Sequence, residues 1–237
     1  MNNKETILAQ TYKFAKEYHS KDCSGHDFEH IRRVYANMNK LLASEPDANA
    51  FICKMSALLH DVDDHKLNTD GHVAERFLKK LNLDEETIGT ILNTIKAISF
   101  SKSGARPKFE TLEMKLLSDA DKLDAMGAMG ICRTFAYGGS KQRPIFDKDT
   151  FPGVENGNSH SINHFFEKLL LLKGAMQTKA GQEAAKERHN FMVTYLEHFF
   201  EEQDLPEWSK YLEDFLKRHD NNNSVLLTAM RNSSLQK

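Results

Sequence analysis

Residues 51–66 read FICKMSALLHDVDDHK, and this stretch decides how the chain folds. Its apolar residues recur every three or four positions, the spacing that places side chains on the buried face of an α-helix. The apolar run then ends in His60 and Asp61, and more ionisable residues follow directly. Crowded charge at the end of a buried helix is costly unless a positive charge neutralises it, and a divalent cation would do so. A solvated, charged turn is the ordinary explanation when such a His–Asp pair stands alone.

The same helical spacing recurs along most of the chain. Leucine outnumbers valine 25 to 6, which favours helices over strands. No stretch alternates apolar and polar residues as a half-buried strand does. The sequence therefore predicts an all-α protein. Further apolar stripes occur in residues 28–42, 88–98, 112–123, 165–170, 191–199 and 208–215.

No shift in composition marks a domain boundary, so we predict a single domain over residues 1–220 and a loose tail over 221–237. One long loop is expected at about residues 138–160, which hold four of the twelve glycines and two of the five prolines. Loops of this length in a compact domain usually serve a function, so a lid or substrate loop is one interpretation and a disordered insertion the other.

Composition and charge exclude several classes of protein. Hydrophobic residues make up 40% and charged residues 28% of the chain, as in soluble globular proteins. The net charge of −2 argues against a protein dedicated to duplex nucleic acid or to membrane surfaces. No apolar run approaches the roughly 20 residues that span a bilayer. Because the three cysteines are scattered, we expect reduced thiols and a cytoplasmic location.

Two other segments carry ionisable residues beside an apolar stripe. His30 lies in a predicted helix next to the buried stripe that includes Ile31. Asp119, Asp121 and Asp124 interrupt an otherwise apolar helix. A carboxylate near a core needs a partner, so these three segments are candidates for one common site. The residues themselves leave open which of the three aspartates takes part.

The order of these motifs resembles the HD-domain metal-dependent phosphohydrolase superfamily, and more closely its small bacterial YpgQ/YedJ-like branch. The phrases that carry the resemblance are HDFEHIRRV, LLHDVDDHK, SDADKLDAMGAMGICRTFAYGG and INHFFEKLLLLKGAMQT, within residues 26–192. The resemblance implies an HD-domain helical bundle. It also implies four metal ligands, namely His30, His60, Asp61 and Asp121.

The chemistry of this ligand set supports a hard or borderline divalent ion. Two imidazoles and two carboxylates without a thiolate suit a six-coordinate ion, Mn²⁺ first, with Co²⁺, Ni²⁺, Fe²⁺ or Mg²⁺ as alternatives. Four protein ligands leave two positions for a water and a substrate oxygen. Such a site can acidify the water and polarise a phosphoryl group.

Residues around the predicted metal site are candidates for catalysis and substrate binding. Asp64 and Lys66 could orient the attacking water or bind the departing phosphate, and Asp64 is the better base because it can accept a proton without competing for the metal. The candidates for contacts with substrate are His26, Arg33, His164 and Lys168.

The resemblance further implies a nucleotide pyrophosphohydrolase, which converts a nucleoside or deoxynucleoside triphosphate to its monophosphate and pyrophosphate. A phosphatase or phosphodiesterase using the same site is an alternative, and so is a non-catalytic nucleotide sensor. Di-iron HD-fold oxygenases need extra histidine ligands between the His60–Asp61 dipeptide and Asp121, where only His65 and His72 fall, so a mononuclear site is favoured. The expected partner is a small-molecule nucleotide, and the apolar residues 225–230 would permit a homodimer.

Overall fold

The computed structural model describes residues 3–21, 27–64, 71–99, 109–153 and 159–219. This described part contains ten α-helices and no strand, which confirms the all-α prediction. None of its helices is long and apolar enough to cross a membrane. The helices are α1 (Asn3–Tyr18), α2 (Phe28–Leu42), α3 (Ala50–Leu59), α4 (Val73–Lys79), α5 (Glu85–Ser99), α6 (Leu112–Asp124), α7 (Gly127–Ser140), α8 (Asn163–Glu167), α9 (Lys179–Glu201) and α10 (206–219).

The chain divides into two compact units. The first comprises Met1–Ala125 and Met176–Ala184, and the second comprises Met126–Ala175 and Ala185–Lys237. A single domain over residues 1–220 stays a prediction, and the predicted tail, 221–237, lies outside the described residues.

α3 is the central helix of the first unit. Eight of its ten residues are buried, and it packs against α1, α2, α5 and α6. A helix that is apolar on nearly all sides is stable only where other elements enclose it. Leu58 and Leu59 are completely buried at its C-terminal end. The chain therefore leaves the core directly into His60 and Asp61, which are themselves buried.

α2 and α6 pack against each other and against α3. The side chain of Asp27 caps the N-terminus of α2 by accepting a hydrogen bond from the His30 backbone N–H at 2.8 Å. Deeper in the pair, the Asn37 amide donates to the carbonyl of Ala120 at 3.1 Å. These bonds fix the first turn of α2 and the alignment of α2 with α6.

The second unit has an aromatic core. Phe200 and Trp208, from α9 and α10, are fully buried. Phe151, from the predicted long loop, stacks on Trp208 with ring centroids 4.3 Å apart, and the Trp208 indole N–H donates to the carbonyl of Lys148 at 2.9 Å. The described part of the loop is thus packed against α10, because Trp208 needs both apolar contact and a partner for its N–H.

The boundary predicted for this loop needs correction. α7 continues through Gly138 and Gly139 to Ser140, and the Lys141 N–H then caps the carbonyl of Tyr137 at 3.1 Å. Glycine lowers helix propensity by only about 1 kcal/mol per residue, which the helix tolerates here. The loop therefore begins at Lys141. Its role as a lid or substrate loop stays a prediction.

Candidate metal centre

Four side chains of the first unit converge on one point. The Nε2 atoms of His30 and His60 lie 3.2 Å apart. Asp61 Oδ2 lies 3.3 Å from Nε2 of His30 and 3.4 Å from Nε2 of His60. Asp121 Oδ1 lies 3.5 Å and 3.8 Å from the same two nitrogens. The structure thus brings together all four residues predicted as metal ligands, and their role as ligands stays a prediction.

Three helices deliver these side chains from distant parts of the sequence. His30 lies in the first turn of α2, His60 and Asp61 directly follow α3, and Asp121 lies in the last turn of α6. Backbone hydrogen bonds from Val62 to Leu59 and from Asp64 to Asp61, both 3.1 Å, hold the turn after α3. The histidine and aspartate of the dipeptide can therefore both face the cluster.

Each imidazole is oriented through its other ring nitrogen. Nδ1 of His60 lies 2.9 Å from the carbonyl oxygen of Ala57, to which it donates. Nδ1 of His30 lies 2.7 Å from Asp124 Oδ2 and donates to that carboxylate. With a proton on Nδ1, Nε2 is the atom of each ring that faces the cluster, and it can bind a metal when the metal takes the place of any proton there.

Asp124 also pairs with Arg33. Arg33 Nε and Nη2 donate to the two oxygens of Asp124 at 2.6 Å and 3.2 Å. The carboxylate is almost fully buried and is held by Arg33 on one side and His30 on the other. Arg33 is therefore already engaged by a carboxylate, and its predicted contact with substrate stays a prediction.

The surroundings of His30 favour a positive charge. Burial disfavours its charged form, but hydrogen bonds with Asp124 and Asp61 and the charge of Asp121 outweigh burial and raise its pKa from 6.5 to about 9. Such a concentration of carboxylates suits a divalent cation as counter-charge.

The spacing of the donor atoms also fits one ion. Adjacent ligands of a six-coordinate ion with bonds of about 2.1 Å lie about 3 Å apart, close to the separations found here. Among the described residues, His30, His60 and Asp121 form a group whose ligand atoms all lie within 4.8 Å of one another. The side chain of Asp121 is 33% exposed, whereas those of His30, His60 and Asp61 are 4% exposed or less. The cluster is therefore reached by solvent on the side of Asp121.

Asp119, one of the three aspartates that could have taken part in the site, instead makes hydrogen bonds with the segment before α9. Its carboxylate accepts hydrogen bonds from the backbone N–H groups of Gln177 and Thr178 at 2.8 and 2.9 Å and from the Thr178 hydroxyl at 2.8 Å. Burial raises the pKa of Asp119, although these hydrogen bonds oppose the rise. Asp119 therefore anchors the chain segment that enters α9.

Asp63 and Asp64, the two carboxylates that follow the His60–Asp61 dipeptide, also differ in their surroundings. Asp63 accepts hydrogen bonds from the backbone N–H groups of Val73 and Ala74 at 2.7 and 3.2 Å, and so caps α4. Asp64 is half-buried at the end of the turn that follows Asp61. Its predicted role as a base stays a prediction.

Four predicted residues are not part of the described cluster. His26 and Lys66 lie outside the described residues. His164 and Lys168 lie in the second unit. Lys168 directly follows α8, which ends at Glu167, and its N–H donates to the carbonyl of His164 at 3.0 Å.

The contact between Asp124 and His30 was not predicted from the sequence, in which Asp124 is one of three aspartates that could take part in the site. A signal was available, since Asp121 and Asp124 are three residues apart and therefore share one face of α6. The three-dimensional position of Arg33 was needed to show that Asp124 pairs with Arg33, whereas Asp121 lies in the cluster.

Comparison with known proteins gives consistent matches. A family model for the HD domain matches residues 27–126. The YpgQ protein of Bacillus subtilis is 34% identical over 190 residues, which are 78% of this chain and 87% of that protein. The crystal structure of an HD-superfamily hydrolase from Bacillus thuringiensis matches with a TM-score of 0.72 and 39% identity, covering 85% of this chain and 98% of the other. The crystal structure of Bacillus subtilis YpgQ in complex with ADP matches with a TM-score of 0.65 and 27% identity, covering 84% and 96%.

Proposed function

The chain belongs to the HD superfamily of hydrolases, in the branch that includes Bacillus subtilis YpgQ, and on this premise we propose that it is a divalent-metal-dependent phosphohydrolase of nucleotides. The observation that carries the proposal is the convergence of His30, His60, Asp61 and Asp121 from three helices. In this proposal the four side chains hold one divalent ion. The carbonyl of Ala57 and the carboxylate of Asp124 orient the two imidazoles.

We propose Mn²⁺ as the ion. A set of two nitrogens and two carboxylate oxygens without sulfur suits Mn²⁺, and Co²⁺, Ni²⁺, Fe²⁺ and Mg²⁺ are alternatives. When bound, such an ion polarises a phosphoryl oxygen and lowers the pKa of a coordinated water. The partly exposed side of the cluster, at Asp121, is where substrate would approach.

The residues after the dipeptide complete the proposed chemistry. The carboxylate of Asp64 accepts the proton of the attacking water, since it follows Asp61 by one turn and is half-buried. The ammonium of Lys66 holds the departing pyrophosphate. Arg33 contributes through Asp124, whose charge it balances.

A nucleotide is the proposed substrate because the related YpgQ crystallised with ADP. We propose cleavage of a nucleoside or deoxynucleoside triphosphate to the monophosphate and pyrophosphate. A mononuclear site is proposed because His72, the one described histidine between Asp61 and Asp121, lies at the surface with its Nδ1 3.3 Å from Glu75. A second ion would need histidines of that segment as ligands.

A nucleotide panel with Mn²⁺ tests the function. Chelator-treated protein is supplied with Mn²⁺ and a series of ribo- and deoxynucleoside triphosphates, and released pyrophosphate and orthophosphate are measured separately. The proposal predicts pyrophosphate, with activity lost in chelator and restored by Mn²⁺ or Co²⁺. Orthophosphate alone would indicate a phosphatase, and nucleotide binding without any product would indicate a sensor.

The matched variants are His60→Ala and His198→Ala. His198 is an exposed histidine of the second unit, so its loss leaves the four ligands intact. His60→Ala is expected to abolish turnover while the far-UV circular dichroism stays helical. Equal activity of the two variants would refute the proposed role of His60.

A further inference from the structure

The last two helices of the second unit enclose an apolar groove, which we call the α9–α10 groove. It has a volume of about 870 Å³. Ligand pockets in proteins usually measure about 300–1,000 Å³, so the groove has room for several side chains. Its floor is apolar and its rim carries four exposed carboxylates. The floor residues are Phe200, Leu205, Leu212 and Leu216, and the rim residues are Glu197, Glu201, Asp204 and Glu213.

The turn between the two helices fixes the shape of the groove. The Asp204 N–H donates to the carbonyl of Glu201 at 3.1 Å, and the Leu205 N–H donates to the carbonyl of Phe200 at 3.1 Å. Asp204 has a positive φ of 53°, which reverses the chain as is usual after the C-terminus of a helix. Pro206, whose ring fixes its own φ, then begins α10. The groove is therefore formed before anything binds in it.

The rim of the groove carries more negative charge than its neighbours balance. The imidazole of His198 lies 3.8 Å from Glu201, and Lys217 pairs with Glu213. Glu197 and Asp204 form no ion pair with any described residue. An apolar floor with an acidic rim fits a segment that is apolar in its middle and basic beside it.

The residues that follow α10 have this composition. Residues 225–230 read VLLTAM, which is apolar apart from one threonine. Residues 221–237 include two basic residues, Arg231 and Lys237, and no carboxylate. They lie outside the described part of the chain, which ends at His219 in α10. The helix that lines the groove therefore leads directly into a segment with the matching chemistry.

The connection between α10 and the apolar segment is long enough to reach the groove. Five residues, 220–224, separate the end of α10 from Val225. Fully extended, they span about 16 Å. The groove runs back along α10 from Leu216 to Leu205, which is also about 16 Å along the helix axis. Val225 can therefore reach any part of the groove.

We propose that residues 225–230 dock in the α9–α10 groove of their own chain, with Arg231 beside its acidic rim. The short connection gives the segment an effective concentration of about millimolar at the groove, an advantage that a second copy of the chain lacks. Docking buries Leu226 and Leu227, whose apolar surface would otherwise face water. The residues that would permit a homodimer are thus covered within one chain. The proposal does not depend on the proposed function.

Disulfide trapping in the full-length chain tests the docking. Ser209→Cys, at an exposed position that lines the groove, is combined with Thr228→Cys or with Ala229→Cys. The effective concentration of the two thiols is measured in glutathione buffers, and peptide mapping identifies the bond. In the control, Asp214→Cys replaces Ser209→Cys, because Asp214 is exposed on α10 but lies outside the groove. With at least one of the two segment positions, the groove pair is expected to exceed its control about tenfold or more.

Further variants test the apolar and the charged contacts separately. Leu226→Ser together with Leu227→Ser should lower the effective concentration at the groove about tenfold or more, because it removes two apolar side chains. Glu197→Lys should lower it about two- to fivefold, as expected for an exposed charge pair. Glu187→Lys, at an exposed residue of α9 away from the groove, should have no effect. Circular dichroism checks that each variant is folded.

Mixing isotope-labelled with unlabelled protein before oxidation shows which chain supplies the segment. A bond within one chain is the expected result. A bond between chains would overturn the proposal, because a second copy would then occupy the groove. Equal effective concentrations for the groove pairs and their controls would also overturn it, and so would a leucine variant that forms the bond as readily as the unsubstituted segment.

Discussion

Nδ1 of His30 donates a hydrogen bond to Oδ2 of Asp124 over 2.7 Å. This bond joins the first turn of α2 to the last turn of α6 and fixes which nitrogen of His30 faces the cluster. Arg33 holds the same carboxylate from the other side. Asp124 therefore acts on the candidate site through His30, without itself facing the point where the four ligands meet.

Asp124→Asn is predicted to weaken Mn²⁺ binding by about 10- to 100-fold, the usual effect of removing a partner of a metal-bound histidine. The amide keeps the size of the side chain but loses the charge that holds Arg33 and the Nδ1 proton of His30. Calorimetric titration of chelator-treated protein with Mn²⁺ measures the effect. Asp47→Asn, at an exposed aspartate of the same unit, serves as control. Unchanged affinity in a folded Asp124→Asn variant would contradict this role.

Asp119→Asn and Asp121→Asn are predicted to affect different properties, the first the stability of the fold and the second the affinity for Mn²⁺. Asp119→Asn should lower the free energy of unfolding by about 2 kcal/mol, because an amide N–H would then face the donors of Gln177 and Thr178. Its Mn²⁺ affinity should stay near that of the wild type. Asp121→Asn should lose Mn²⁺ affinity with little change in stability. Urea unfolding together with metal titration separates the two, and a loss of metal binding in folded Asp119→Asn would reverse the assignment.

Gly181→Ala in α9 is predicted to destabilise the protein by about 1 kcal/mol or more, although alanine favours helices. An added methyl group would collide with the carboxylate of Asp119, which is held in place by Thr178. Gly89→Ala in α5 is the matched control, since no atom lies within 4 Å of its added methyl group. That control should gain stability. Thermal unfolding of both variants tests the prediction, and an equal gain at both positions would show that Asp119 can move aside.

How far the site follows from the sequence depends on the residue. His60 and Asp61 were candidates from the sequence itself, because they end an apolar helix with groups that are costly to bury. His30 and Asp121 needed the resemblance to a known family, since nothing local distinguishes them from neighbouring polar residues. Asp124 could not be assigned, because a sequence shows that two residues share a helix face but not which partner meets each of them.

The same limit applies to the second unit. The apolar stripe around Trp208 predicted a helix, and the structure has one at residues 206–219. The partners of Trp208 in the loop, Phe151 and the carbonyl of Lys148, are about 60 residues away in the sequence. Contacts over such distances depend on the complete fold, so composition alone described the segment only as a loop.

His164 gives a prediction about pH. Burial and the cations Lys168 and Arg143 lower its pKa from 6.5 to about 4. Because the unfolded chain binds this proton more readily, the neutral imidazole contributes stability above pH 6.5 that is lost as the pH falls towards 4. Arg143→Gln and Lys168→Gln should each raise the pKa of His164, though not to 6.5, because burial remains. NMR titration of the imidazole measures this, and a pKa that stays at about 4 in both variants would show that neither cation acts on it.

The central claim is that His30, His60, Asp61 and Asp121 bind one divalent ion. Titration of chelator-treated protein with Mn²⁺, with circular dichroism as a check on folding, tests it most directly. The account predicts one ion per chain in the wild type and none in folded His60→Ala or Asp121→Asn. Undiminished Mn²⁺ binding in both folded variants, or no binding in the wild type, would contradict it.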